Sequence, residues 1–352
     1  MKRYGVPYMG SKNKIARQIV DRLPAGDVFV DLFCGGCAIT HAAMESGKWS
    51  RFIANDIDVG IPQLFADAAA GKYNDEKRWI SREDFFKLKD TDAYVRTCWS
   101  FGSKKDSYIY GKEIEPWKKA LRYARVFGDT SLLREFGIKS DGSRKDIAKH
   151  YYEYQEKYKE WIIRNYNQDN FSHTKLQYAE HLSRLNNMRK NIEGFVSCQR
   201  LQNYQRICDV SDYTRHFGPL NREEQKERLQ RLQSLQSLES LERLQVSGLD
   251  YRDVPITPGA VVYADPPYAG TEKYGEEVFD SAAFFEWVRT RPFPVYVSEY
   301  HAPDDFTAVF EIERKSKLSS TNNLSVVEKL FLHKRFLNPN AEFSDLPLFA
   351  VV

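Results

Sequence analysis

The 352-residue chain is 42% hydrophobic and 14% aromatic with a net charge of +3, enough apolar mass for a core of about two domains and too much for wholesale disorder. Its apolar runs fall far short of the roughly 18–20 residues that span a bilayer, and Met1 to Tyr8 lacks an apolar signal core, so neither a membrane span nor export is expected. Five cysteines, at 34, 37, 98, 198 and 208, are an odd number in a long chain; a reduced, cytoplasmic protein is expected, and no second pair completes a zinc site with Cys34 and Cys37.

In chain order, Ile15 to Leu23 predicts a short amphipathic helix. Asp27 to Phe33 is an apolar, β-branched run bounded by Pro24-Ala25-Gly26 and by Gly35-Gly36, which predicts a buried strand. Ala38 to Ser46 predicts a helix stopped by Gly47, and Arg51 to Asp56 a second strand. Strand, glycine turn, helix and strand make a βαβ unit and imply a parallel sheet.

Residues 60–225 are polar, tyrosine-rich and predicted mostly helical. Ile147, Tyr151, Tyr154, Tyr158 and Trp161 fall on one helical face, which suits a core. Between 101 and 200, 20 Lys and Arg face 13 Asp and Glu, among nine of the 21 tyrosines. Basic residues interleaved with rings suit a surface that meets phosphates and stacks on bases, and equally describe a solvated helical face with its rings turned inward. Leu229, Leu232, Leu235, Leu238, Leu241 and Leu244 recur every third residue. That period drifts by about 60° per leucine, so six leucines circle a helix and make no single stripe. Residues 226–248 therefore read as a low-complexity linker without chemistry.

Strand character returns at Gly259 to Ala264, Pro294 to Ser298, Phe306 to Ile312 and Val326 to Phe331, with a helix over Ser281 to Arg289. The expected architecture is α/β: a split sheet domain over 1–60 and 249–352, a helical insert over 61–225, and the linker.

The chemistry concentrates in three places. A strand ends at Asp265-Pro266-Pro267-Tyr268, where two prolines fix the backbone and leave the Pro266 carbonyl beside the Asp265 carboxylate. Two acceptors side by side match the two hydrogens of an exocyclic amino group, and Tyr268 offers a ring for a planar base. Asp and Pro are also ordinary strand-ending turn residues. Asp31-Leu32-Phe33-Cys34-Gly35-Gly36 places an acid and two glycines where the first strand meets the first helix, allowing close approach of a nucleotide-like ligand. Asp56 lies 25 positions later, where an acid can bond ribose hydroxyls.

These blocks, with Tyr8-Met9-Gly10-Ser11-Lys12, resemble the Dam-type DNA N6-adenine methyltransferases of bacteria and their phages, in that family's order and with a variable target-recognition region between the second and third. Trp99-Ser100-Phe101-Gly102 and Glu115-Pro116-Trp117 are similar to phage members of the group. The resemblance implies a Rossmann-like methyltransferase sheet with a helical target-recognition insert, and S-adenosylmethionine as cofactor without a metal. It implies adenine N6 in double-stranded DNA as acceptor. By matching position, Tyr8, Lys12, Asp31, Phe33, Gly35, Asp56 and Asp265 are expected at the cofactor or the reacting pair, and Asp265, Pro266, Pro267 and Tyr268 at the catalytic loop. The family's loop carries a further small residue where Cys37 stands, which leaves that residue's role open. Lys104, Lys105, Lys118, Lys119, Arg122 and Arg125 of the insert are expected at DNA phosphates. A cytoplasmic monomer or weak dimer, in a bacterial cell or a phage-infected host, is expected, with room for a partner restriction endonuclease. An amine methyltransferase of RNA or protein, and a DNA-binding homologue without catalysis, are the alternatives.

Overall fold

Seven strands form one sheet in the order β3-β2-β1-β4-β5-β7-β6. The computed structural model describes residues 3–8, 10–101, 106–112, 115–139, 224–235, 241–267, 279–316 and 324–337. The strands are β1 (Val28–Asp31), β2 (Arg51–Asn55), β3 (Leu244–Ser247), β4 (Val261–Ala264), β5 (Val295–Glu299), β6 (Phe306–Ser316) and β7 (Leu324–His333). The first five pair in parallel, whereas β7 runs antiparallel to β5 and to β6. Every residue of β1, β4 and β5 is buried, which is why these strands read in the sequence as mainly apolar runs rather than alternating ones, with Asp31 and Ser298-Glu299 as polar ends.

The helices of the sheet unit are α1 (Ala16–Arg22), α2 (Ala38–Met44), α3 (Gly60–Ala69), α4 (Arg82–Leu88), α5 (Ala93–Cys98), then, past the insert helices α6 (Glu115–Arg122) and α7 (Ser131–Glu135), α8 (Glu224–Gln233) and α9 (Ser281–Thr290). Asp280 starts α9 by accepting from the Ala283 amide at 2.9 Å, and Asp92 starts α5 by accepting from the Tyr94 and Val95 amides. Phe284, Phe285 and Val288 of α9 pack with Val30, Val262, Ala264, Val295 and Val297 in a core on one sheet face. α2 covers the opposite face, where Thr40 bonds Asp31.

The chain divides into two compact units, one of residues 1–76, 82–106 and 227–352, the other of 77–81 and 107–226. The first unit thus takes in 61–76 and 82–106, which the sequence assigned to the insert. In the second unit, Trp117 and Phe136 meet edge to face at 5.3 Å, and Trp79 stacks on Tyr110 at 5.8 Å. The tyrosine stripe from Ile147 to Trp161 lies outside the described residues.

Within 226–248 the described residues form regular elements where the sequence predicts a linker. The first part of this stretch completes α8, and its last part is β3, parallel to β2 at the sheet edge. Leu229, Leu232 and Leu235 are all buried. Three leucines at a period of three spread over only about 120°, which one apolar face accommodates; the circling drift requires all six to lie in one helix. Leu241 and Leu244 instead fall in a 3-10 turn and in β3, while Leu238 lies outside the described residues. Arg228 donates to the carbonyls of Thr97, Cys98 and Ser100, and Gln233 to those of Tyr73 and Asn74, so α8 is fastened at its middle and at its last residue.

Candidate active site

Strand order reverses between β1 and β4, and in open α/β sheets that reversal opens a crevice at the carboxyl ends of the strands. β1 ends there with Asp31, and β4 ends with Ala264, followed by Asp265-Pro266-Pro267. Tyr268 lies outside the described residues.

The N-terminal strap closes one side. Val6 donates to the Gly36 carbonyl at 2.8 Å, and the Gly5 amide donates to His41 Nδ1 at 2.9 Å, so His41 accepts there and presents Nε2–H to Glu45. A Cβ on Gly36 would stand 2.6 Å from Tyr8 Cβ, and one on Gly35 would stand 2.9 Å from the Tyr8 ring. The two glycines are what allow the strap and Tyr8 to lie against the turn. Gly10, with φ of 78°, then reverses the chain, and Lys12 at the entrance to α1 turns back into the crevice. The Tyr-x-Gly-x-Lys spacing is therefore a ring on the glycine turn, a bend and a returning cation.

Lys12 is 5% exposed, and its Nζ lies 2.9 Å from Asp265 Oδ1 and 3.4 Å from Glu328 Oε1. Glu328, from β7, is 2% exposed. A buried carboxylate is costly without a cation or hydrogen bonds, and the Lys12 ammonium is one partner within reach of it.

Asp31 is 1% exposed; its Oδ2 accepts from Thr40 Oγ1 at 2.7 Å, while its buried Oδ1 accepts from no described residue. Burial pushes its carboxyl up to about 7; the Thr40 bond opposes this, and the charges of Asp265 and Asp56 add to it. Asp56 accepts from the Gly35 amide with one oxygen and from the Asp58 amide with the other, both at 2.9 Å, which ties the glycine turn to the end of β2. Phe33 is half-buried against Tyr251, Phe279 and Phe284, a wall of the core at the crevice rim.

Cys37, whose role the sequence left open, has φ of 55° and caps α2 in the left-handed region, a conformation no other described non-glycine residue takes. Its Sγ lies 3.7 Å from that of Cys34, and burial raises both thiols above their ordinary range, so they pack as protonated side chains. Among the described residues no three His, Cys, Asp or Glu side chains cluster to hold a metal, and no helix is long and apolar enough to cross a membrane.

The structure redraws the expected DNA contacts. Lys118 is 1% exposed with its Nζ 5.6 Å from the centre of the Tyr110 ring, and Arg122 is 2% exposed and donates to the Arg78 carbonyl. Both are buried, so neither is offered to a phosphate; their spacing on α6 places them on its inner face. Lys119 is partly exposed, with its Nζ 5.6 Å from the Tyr123 ring. Lys104, Lys105 and the Arg125 side chain lie outside the described residues.

Sequence reasoning missed Glu328, whose neighbour in β7 is Lys329 and which carries no local signal. It also missed Thr40, one turn into α2. Asn55 was missed as well; it binds the Leu32 and Leu249 carbonyls at 3.0 and 2.9 Å and knits the loops after β1 and β3. Ile57, directly after Asp56 at the sheet's carboxyl edge, is 75% exposed, an apolar surface beside the candidate ribose site.

The chemistry of these features suits a cationic nucleoside ligand. The glycine turn leaves no room for a Cβ, the buried Asp31 Oδ1 awaits a donor, and two further carboxylates share one lysine. In comparisons with known proteins, the model of the D12 class N6 adenine-specific DNA methyltransferase family matches residues 8–206. A comparison with curated proteins returned no match.

Proposed function

The chain belongs to the D12 class N6 adenine-specific DNA methyltransferase family, and on that premise we propose that Asp265 and the Pro266 carbonyl hold the target amino group while Asp31, Asp56 and the Gly35-Gly36 turn hold the cofactor. The chain is a DNA adenine methyltransferase on a Rossmann-like sheet, and the family implies S-adenosylmethionine as methyl donor. That donor supplies an electrophilic methyl group on a positively charged sulfur.

The orphaned Asp31 oxygen fits the ammonium of the cofactor's amino-acid end. Asp56 fits its ribose hydroxyls, and the exposed Ile57 fits its base. The excess of buried carboxylate over lysine favours a cationic ligand. On the other side of the crevice, the Asp265 carboxylate and the Pro266 carbonyl accept the two N–H bonds of the amino group. They orient its lone pair, and Asp265 stabilises the positive charge that develops on the nitrogen. Proton loss follows transfer, so Asp265 need not be a strong base. Tyr268 stacks on the base. An adenine in a duplex must first be extruded, at a cost of about a few kcal/mol. The helical insert supplies phosphate and base contacts, a role supported by the basic excess between 101 and 200. The reading implies a compartment that holds DNA, the cytoplasm of a bacterium or an infected host.

The observation that carries this reading is the meeting of Lys12 and Asp265 at the strand-order reversal, beside a buried, half-satisfied Asp31. Modified-base sequencing of DNA from cells expressing the chain tests it. N6-methyladenine at one recurring sequence is the expected result, and the same DNA set against restriction enzymes reports whether the mark protects from a partner endonuclease. Labelled methyl groups entering only RNA or protein would reject the reading.

A further inference from the structure

Strand register places four polar side chains in one row. Asp31 pairs with Tyr263, and Tyr263 with Tyr296. Ser298 lies two residues beyond Tyr296 and pairs with Leu330, and Glu328 lies two residues before Leu330. Paired residues, and residues two apart, share a sheet face. Asp31, Tyr263, Ser298 and Glu328 therefore run across β1, β4, β5 and β7 on the face that α2 covers, all buried. Lys12 comes down on this row and joins its far end, Glu328, to Asp265 at the top of β4.

The arrangement poses a problem for the proposed chemistry. Lys12 Nζ lies 2.9 Å from Asp265 Oδ1, on the carboxylate that the incoming amino group is to use. A buried ammonium cannot simply let go, because an unpaired charge in a low-dielectric site is costly. Glu328 Oε1, 3.4 Å from the same nitrogen, offers a second carboxylate without a change of location. We propose that Glu328 is a positioning residue that receives the Lys12 ammonium when the substrate amino group takes its place on Asp265. This rests on the reading of Asp265 as the amino-group acceptor. No bond is made or broken in the hand-over; one ammonium exchanges one carboxylate for its neighbour. Glu328 itself touches neither substrate nor cofactor in this role.

A double-mutant cycle at saturating DNA and cofactor tests it, with the single-turnover methyl-transfer rate as the readout. Without the second carboxylate, Lys12 stays on Asp265 and misplaces the base. Displacement by about 1 Å costs on the order of 100-fold, so Glu328→Gln is expected to lose roughly 10- to 100-fold. In the Lys12→Met background the same substitution has no ammonium to strand, and a further loss of less than about 3-fold is expected. Equal losses in both backgrounds, or no loss in either, overturn the proposal, because a purely structural Glu328 does not depend on Lys12. Glu328→Asp keeps the charge and draws it back by one methylene, and it serves if Glu328→Gln does not fold. The proposal requires it to slow the Lys12 chain and not the Lys12→Met chain. A wild-type chain that transfers no methyl group to DNA overturns the parent reading and this one together; a normal wild-type chain with an additive cycle overturns this one alone.

Discussion

Asp31→Asn should make the ligand-free protein more stable and its cofactor binding worse. Asp31 is fully buried, with one oxygen bonded to Thr40 and the other to no described residue, and its carboxyl sits at about 7 instead of 3.8. At about 1.4 kcal/mol per pH unit, that displacement corresponds to about 4 kcal/mol against the ionised folded chain. The sign follows from proton binding. Between about pH 4 and pH 7 the folded chain holds a proton that the unfolded chain has released, so stability falls as pH rises through that window and levels off above it. Asparagine keeps an oxygen for the Thr40 hydroxyl and has no charge to bury. The variant should therefore match wild type near pH 4 and melt higher at pH 8, by up to roughly 8 °C at about 2 °C per kcal/mol. Scanning calorimetry from pH 4 to pH 8 measures the difference, and S-adenosylmethionine in the cell measures the linked loss. The cofactor should raise the melting temperature of wild type at pH 8 and hardly move that of the variant. A variant less stable than wild type at pH 8, or a gap that does not change with pH, would refute the account of Asp31.

Asp265→Ala should abolish methyl transfer to DNA while calorimetry still detects cofactor binding; near-normal turnover would remove Asp265 from the site. In Gly36→Ala the new Cβ stands 2.6 Å from Tyr8 Cβ and 2.9 Å from the Val6 carbonyl, both parts of the strap. The strap must shift, and a loss of cofactor affinity of about 10-fold or more is expected by titration, with unchanged affinity the contrary result. Lys118→Ala should destabilise the fold by about 1–3 kcal/mol in denaturant melts, as a buried change does. It should leave the salt dependence of DNA binding unchanged; a slope smaller by about one would show Lys118 on a phosphate after all.

The central strands were legible from composition alone. Val28–Asp31, Val261–Ala264 and Val295–Glu299 are runs of apolar and β-branched residues between turn formers, and a sheet covered on both faces is where such runs can bury completely. The placement of Asp31, Asp56 and Asp265 was equally legible, because each stands where a strand ends and a loop takes over. The partners of these residues were not. Lys12 and Asp265 are 253 positions apart, and nothing local to either states that they meet. Glu328 stands beside Lys329 in β7 with nothing local to set it apart; its register against β5 puts it on the row that ends at Asp31. The leucine repeat was misread because its period was followed through six residues, when the helix ends at Gln233, before the third leucine, and the described chain is next found at the sheet edge as β3. Lys118 and Arg122 looked like a basic surface, and the packing of α6 turned them inward. Periodicity reports which face of an element is apolar, a property of a few neighbouring residues. The partner of a charge, the burial of a long side chain and the position of a strand in its sheet depend on contacts between distant segments, and those exist only once the chain has folded.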